Sequence, residues 1–102
     1  MNKYHAVKQY SELCGRTFDS RAECRRGEEL ALMERGGVIS NLDYQPSFIL
    51  SLKPKVTYTA DFDYIEDGVV IVEDVKGILT RETRVKIAWV KEKFGIEVKL
   101  TK

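Results

Sequence analysis

The run of β-branched residues from Val69 to Val75 is the feature that most constrains the fold of this chain. It reads Val-Val-Ile-Val-Glu-Asp-Val, and the segment Glu66-Asp67-Gly68 stands directly before it. Asp-Gly is typical of a tight hairpin turn, and β-branched and aromatic residues favour strands. We therefore predict that Val69–Val75 is a strand and that Val56–Tyr64, before the turn, is its antiparallel neighbour.

A capping signal marks the start of a first helix. Ser20 fits the N-cap position of a capping box, and Glu23 fits its N3 position. The helix is expected to end at Gly36-Gly37, because glycine is common just beyond a helix. Local sequence alone therefore favours a structural role for Glu23.

A second helix follows the hairpin. It is expected from about Glu82 to Phe94, with Gly95 just beyond its end. Apolar residues recur along it at helical spacing and predict its buried face. The residues of this predicted stripe are Val85, Ala88, Trp89 and Phe94.

Three further segments complete the predicted sheet. Residues 38–44 indicate a connector or short strand, and Phe48–Leu52 is short and apolar. The last segment, Ile96–Thr101, alternates apolar and polar residues as a half-exposed strand does. A right-handed β-α-β crossover would lay it parallel to Val69–Val75.

Length and composition place these elements in one small domain. The chain has 102 residues, 43% of them hydrophobic and 32% charged, as in an ordinary globular protein. We predict an N-terminal arm at residues 1–17 and one α/β (α+β) domain at residues 18–102. Its elements follow in the order α-β-β-β-α-β, with one mixed sheet flanked by two helices.

The same composition indicates the cellular location of the protein and argues against some kinds of site. No apolar run is as long as a membrane span, and no signal-peptide core is evident, so a cytoplasmic protein is expected. Cys14 and Cys24 are expected to be reduced thiols, and a single histidine argues against a structural zinc site. The net charge of +1 carries no general signature of nucleic-acid binding.

Two aspartates and a lysine stand where the predicted hairpin would bring them together. Strand alternation puts Asp74 and Lys76 on one face and Glu73 on the other, where a salt bridge or a helix contact is its expected role. Counting from the turn places Asp61 opposite about residue 73, within reach of Asp74. Two such carboxylates repel unless a divalent cation joins them, and Lys76 adds a positive charge suited to a phosphate or an attacking water.

A simpler interpretation explains the same residues. Asp61 and Asp74 would be members of a surface ion pair with Lys76 or Lys86, and the two carboxylates would then lie far apart. Gln45 has two interpretations as well, since a residue before a proline can bond within a turn or line a site. Lys86 is either a phosphate contact or part of a solvated helix face.

Four segments in this order resemble a known family: FDSRAE, LDYQPSF, YTADFDY and VEDVKG. The similarity is to small phage and prophage endonucleases of the PD-(D/E)XK superfamily, described as Holliday-junction-resolvase-like, and it spans about residues 17 to 100. It implies a restriction-endonuclease-like core and hydrolysis of DNA phosphodiester bonds. It also implies dependence on Mg²⁺, with Mn²⁺ able to substitute, and branched DNA as the substrate class.

The resemblance also implies roles for individual residues. Asp61, Asp74 and Glu23 would hold the metal, and Lys76 would be the catalytic lysine. Ala60 stands where the superfamily often has a proline. Residues expected to line the site or to contact DNA are Gln45, Lys86 and Arg25. Cutting a junction requires two active sites, so a homodimer is expected. The alternative function is a non-catalytic DNA-binding or assembly module on the same fold.

Overall fold

The structure is a computed structural model, and it describes residues 7–76 and 78–102. Residues 1–6 of the predicted arm, and Gly77 after the long strand, lie outside the described residues. The protein is of the mixed α+β class, as predicted. Its elements are β1 (Gln9–Ser11), β2 (Arg16–Phe18), α1 (Arg21–Arg35), β3 (Ser40–Tyr44), β4 (Ser47–Leu52), β5 (Lys55–Thr59), β6 (Phe62–Glu66), β7 (Val69–Val75), α2 (Arg81–Phe94) and β8 (Lys99–Thr101).

The strands are divided among three sheets rather than gathered in the single sheet that was predicted. A four-stranded sheet has the order β3-β6-β7-β8, while β1-β2 and β4-β5 are separate hairpins. Strands β6 and β7 are antiparallel, and β8 lies parallel to β7. The antiparallel hairpin and the parallel crossover through α2 are therefore both confirmed.

The turn between β6 and β7 has the geometry that the Asp-Gly pair predicts. Glu66 pairs with Val69, and the two residues between them both have positive φ, 52° at Asp67 and 76° at Gly68. Positive φ at both central positions is the mark of a type I′ turn. Phe62 pairs with Glu73, so Asp61 stands within one residue of its predicted partner.

The predicted continuous strand Val56–Tyr64 is wrong, because the chain changes sheets at Ala60 and Asp61. The Ala60 N–H donates to the carbonyl of Pro46 at 3.0 Å, while the next N–H, of Asp61, donates to the carbonyl of Glu73 at 3.2 Å. Consecutive donors thus serve two different sheets. Apolar alternation continues through this bend and gives no sign of it. Asp61 consequently stands at a corner of the structure and not inside a strand.

Part of the predicted N-terminal arm forms regular structure. Strands β1 and β2 form an antiparallel hairpin whose last residue, Phe18, is buried in the core. Gly27 of α1 lies against this ring, since a Cβ on Gly27 would stand 2.7 Å from Phe18 Cζ. The absence of a side chain at Gly27 lets α1 approach Phe18 closely.

The predicted ends of both helices are confirmed, but the predicted buried stripe of α2 is wrong. Ser20 caps α1, and Gly95, with φ of 69°, ends α2. Val90 is the buried residue of α2, and Trp89 is half-buried beside it. The helix packs against β4 and β5, and its buried face is centred on Val90, with Ile87 and Trp89 half-buried beside it. The remaining residues of the predicted stripe are exposed: Val85, Ala88 and Phe94.

The core has two halves, one on each face of the four-stranded sheet. The first lies under α1 and contains Phe18, Cys24, Leu30, Ile39, Phe62 and Tyr64. The second lies toward α2 and the β4-β5 hairpin and contains Leu50, Tyr58, Ala60, Val72, Val90 and Val98. Because β7 lies between them, its alternate side chains point into different halves.

Two smaller points complete the fold. Cys14 and Cys24 are free thiols, as predicted, and Cys24 is buried. Neither helix, in the described portion, is long and apolar enough to span a bilayer.

Candidate functional site

Asp74, near the end of β7, is the most deeply buried member of the site. Its exposed fraction is 0%, and its Oδ2 accepts a hydrogen bond from the Tyr58 hydroxyl. Lys76 Nζ lies 3.5 Å from the same oxygen. The other oxygen, Oδ1, is buried and has no hydrogen-bond partner within residues 7–76 and 78–102. A buried polar atom without a partner costs about 1–3 kcal/mol, so Oδ1 is a position where a ligand would be stabilising.

Asp61 lies at the corner between β5 and β6, and backbone groups hold it there. Its Oδ2 accepts a hydrogen bond from the Val75 N–H at 2.7 Å, and its carbonyl accepts one from the Gln45 N–H at 3.0 Å. Burial, the adjoining Asp74 and nearby Glu23 raise the pKa of Asp61 to about 8, against the lowering effect of the Val75 bond. Without a cation, the protonated form of Asp61 is therefore favoured much more than in an ordinary aspartate.

Glu23 brings a third carboxyl group from the first turn of α1. Its N–H donates to the Ser20 hydroxyl at 3.1 Å, which confirms the predicted cap. Its side chain, 8% exposed, neighbours Asp61. Burial raises the pKa of Glu23, with Asp19 and Asp74 adding to the rise, while Asp61 and Arg16 oppose it. The backbone N–H of Glu23 thus takes part in the helix cap, while its carboxyl group lies beside Asp61. Glu23, Asp61 and Asp74 together are called the acidic corner.

Lys76 supplies the positive charge predicted for this face. Its side chain is about one-third exposed. Its backbone N–H donates to the Thr101 carbonyl at 2.8 Å, which connects Lys76 to β8. The surface ion-pair interpretation predicted that Asp61 and Asp74 would lie far apart. That prediction is wrong, because the two carboxyl groups are close enough to share a hydrogen bond and Asp74 is buried.

The donor set fits a hard divalent cation. The described residues contain no group of three or more His, Cys, Asp or Glu side chains already arranged around one metal position. Mg²⁺, however, is usually held by one or two carboxylates, with waters and substrate phosphates completing its shell. Asp61 and Asp74 supply two such carboxylates, and Asp74 Oδ1 has no hydrogen-bond partner in the described part of the chain. Oxygen ligands favour Mg²⁺ or Mn²⁺, and Glu23 adjoins the pair through Asp61.

Glu73 occupies the opposite face of β7 and has the role predicted for it. Arg26 of α1 donates to both of its oxygens, at 2.6 and 3.0 Å, and the Tyr64 hydroxyl donates at 2.6 Å. Thr101 donates to it at 3.0 Å. Burial by itself would raise the pKa of Glu73, but the bonds from Arg26, Tyr64 and Thr101 lower it overall. Glu73 is fully paired and belongs to the framework of the site.

The three predicted accessory residues lie in different parts of the structure, and none of them directs its side chain to the acidic corner in a described contact. Gln45 adjoins the site through its backbone bond to Asp61, and its side chain is exposed. Lys86 pairs with Glu82 at 3.1 Å, and both line a shallow groove of about 470 Å³ whose described lining does not include Glu23, Asp61 or Asp74. Arg25 is exposed on α1, two positions after Glu23 and so on the other side of the helix.

Two residues of the site were missed by sequence reasoning. Tyr58 looked like an ordinary strand residue, and its contact with Asp74 exists only because the β4-β5 hairpin folds against β7. Arg16 has its guanidinium 4.5 Å from the centre of the Tyr44 ring, and its electrostatic effect reaches Glu23. The Arg16 Nε atom is buried with no partner among the described residues. No local pattern marks either residue, since both are defined by contacts between distant segments.

Comparison with known proteins identifies a family for the whole chain. No curated protein and no solved structure matches the sequence. A family model described as "Protein of unknown function (DUF1064)" matches residues 1–102. Because the match covers the entire chain, the protein that carries this acidic corner belongs to the DUF1064 family.

Proposed function

We propose that this protein is a Mg²⁺-dependent endonuclease that hydrolyses phosphodiester bonds in DNA. The observation that carries the proposal is the half-buried Asp61 next to the buried Asp74, with Lys76 beside Asp74 and with Asp74 Oδ1 unpartnered among the described residues. Burial raises the pKa of Asp61, and so does the repulsion between the two ionised carboxylates, which is unfavourable at neutral pH. Metal binding relieves it.

The carboxylates of the acidic corner and the nearby Lys76 have different roles in the proposed reaction. A bound Mg²⁺ supplies Lewis-acid stabilisation of a phosphoryl oxygen and lowers the pKa of a bound water. Asp61 and Asp74 would hold it, with Glu23 as a third ligand. The ammonium group of Lys76, on the side of Asp74 Oδ2, would orient the attacking water and neutralise charge that develops on the phosphate.

The substrate and assembly belong to the same proposal. The resemblance to Holliday-junction-resolvase-like endonucleases supports a restriction-endonuclease-like core and branched DNA as the substrate. The hairpin of β6 and β7, followed by α2 and the parallel strand β8, is compatible with that core. Cutting two strands of a junction calls for two copies of the site, so the proposed active form is a homodimer. A phage or prophage origin and action in the bacterial cytoplasm complete the proposal.

A cleavage assay tests this function. Duplex, flap, fork and four-way-junction DNA would be incubated with Mg²⁺, Mn²⁺ or EDTA. We expect metal-dependent cleavage, strongest on branched DNA. Asp74→Asn should lower the cleavage rate by more than about a hundredfold. Removing a group that only orients a metal ligand costs up to about a hundredfold, and Asp74 would be a ligand itself.

The matched control for this assay is Asp63→Asn. Asp63 lies on the same hairpin, two positions after Asp61, but its carboxyl group neighbours Asp43 and not the acidic corner. Its rate should stay within about threefold of wild type, as expected for a substitution away from the site. Undiminished cleavage in Asp74→Asn would contradict the proposal. DNA binding and no cleavage with any substrate would favour the alternative, a non-catalytic DNA-binding or assembly module.

A further inference from the structure

We infer that Tyr58 is a positioning residue that fixes the carboxylate of Asp74 for the cation, an inference that rests on the proposed function. Tyr58 belongs to β5, in the hairpin that stands outside the four-stranded sheet. Its hydroxyl donates to Asp74 Oδ2, and both side chains are buried, at 4% and 0% exposure. The β4-β5 hairpin therefore contributes to the site through one hydrogen bond.

The bond determines which oxygen of Asp74 is left for a ligand. Tyr58 and Lys76 both contact Oδ2, while Oδ1 has no partner in the described part of the chain. A carboxylate held at one oxygen cannot rotate freely, so the lone pairs of the other oxygen keep a fixed direction. Groups that orient a metal ligand in this way typically change metal affinity by about 10- to 100-fold when they are removed.

The packing of the ring and the role of the hydroxyl are separable. The Tyr58 ring stacks on Phe48 with centroids 6.4 Å apart and belongs to the core half that faces α2. A phenylalanine would keep the ring and its packing and would remove only the donor to Asp74. A purely structural role predicts that this change affects stability alone.

The chain contains a closely matched control. Tyr64 is also a buried tyrosine, and its hydroxyl also donates to a carboxylate of β7, at 2.6 Å. Its acceptor is Glu73, on the opposite face, which Arg26 and Thr101 also satisfy. Tyr64→Phe therefore removes an equivalent buried hydrogen bond without touching Asp74.

The test compares Mn²⁺ binding by calorimetry to wild type, Tyr58→Phe and Tyr64→Phe, with unfolding curves recorded in EDTA. We expect both variants to lose some stability. Tyr58→Phe should bind Mn²⁺ about 10-fold or more weakly, whereas Tyr64→Phe should stay within about twofold. Equal Mn²⁺ affinity in Tyr58→Phe and wild type would overturn the inference while leaving the proposed function intact. Absence of Mn²⁺ binding and of cleavage in the wild type would instead overturn the proposed function.

A measurement on the wild-type chain keeps the inference testable if Tyr58→Phe does not fold. The isotope-labelled phenol carbons of the tyrosines would be followed by NMR during a Mg²⁺ titration. The Tyr58 resonance should shift, because its hydroxyl is bonded directly to a carboxylate that binds the cation. The Tyr64 resonance should not. An unmoved Tyr58 signal at saturating Mg²⁺ would overturn the inference.

Discussion

Glu73 and Asp74 are neighbouring acids of β7 that are equally buried, but they differ in the partners that surround them. Both are fully buried. Glu73 receives bonds from Arg26, Tyr64 and Thr101, so its charge is compensated. Asp74 adjoins another carboxyl group and leaves one oxygen unpartnered among the described residues. The difference teaches that burial alone does not mark a functional acid. The more informative sign is a buried oxygen left without a partner beside a second carboxyl group, because a ligand at that oxygen would be stabilising.

The largest effect expected from this comparison is on stability, and it is much larger at Glu73 than at Asp74. Glu73→Gln removes the partner of the Arg26 guanidinium, and breaking a buried ion pair in this way costs about 3 kcal/mol. Asp74→Asn keeps an oxygen for Tyr58 and gives up only the longer contact with the partly exposed Lys76, so the free energy of unfolding should fall much less. Urea unfolding in EDTA measures both. Equal losses in the two variants would break the comparison.

The next effect is a pH dependence that differs between the two faces. In the unfolded chain Asp61 titrates near 3.8, but in the folded chain its pKa is about 8, so folding takes up a proton between these values. Stability should therefore fall as pH rises through that window. The lowered pKa of Glu73 works the other way, since its contribution is present at neutral pH and is lost only on acidification below about 4.5.

Urea unfolding in EDTA, from about pH 5 to about pH 8, checks this dependence. Asp61→Asn should flatten the decline seen in the wild type, and saturating Mg²⁺ should raise stability most at the alkaline end, where the carboxylates are ionised. The same slope in Asp61→Asn and wild type would show that the acidic corner is not its source.

The smallest effect is expected at Lys86, away from both acids. Its pair with Glu82 is an exposed contact one helical turn apart, and such pairs contribute about 0.3–0.5 kcal/mol. Lys86→Ala should lower stability by no more than this and should not change Mn²⁺ affinity. Calorimetry beside Asp74→Asn would sharpen the contrast. A large loss of metal affinity in Lys86→Ala would show that the site extends onto α2.

Much of this could be predicted because it follows from local periodicity. The alternation along β7 is enough to put Glu73 and Asp74 on opposite faces, and the Asp-Gly turn is enough to predict the register with β6 to within one residue. The prediction that Glu73 forms a salt bridge is confirmed by its contact with Arg26. The caps of the two helices are equally local, since each depends on a few consecutive residues.

The errors fall where a contact joins distant segments. The predicted strand Val56–Tyr64 continues through a bend because apolar alternation does not report which partner a backbone N–H finds. The stripe predicted for α2 follows helical spacing, but the face that packs against β4 and β5 is centred on Val90, which helical spacing alone does not select. Tyr58 was missed for the same reason, as its role depends on a hairpin that folds back on β7.

The sequence by itself determined the pairing of β6 with β7 and the faces of Glu73 and Asp74, since turn chemistry and a two-residue repeat are properties of adjacent residues. Only the tertiary structure decided that Asp61 stands at a bend, that Glu23 faces it from α1, and that Tyr58 holds Asp74. Those contacts depend on how separate elements pack, and packing is a property of the whole chain.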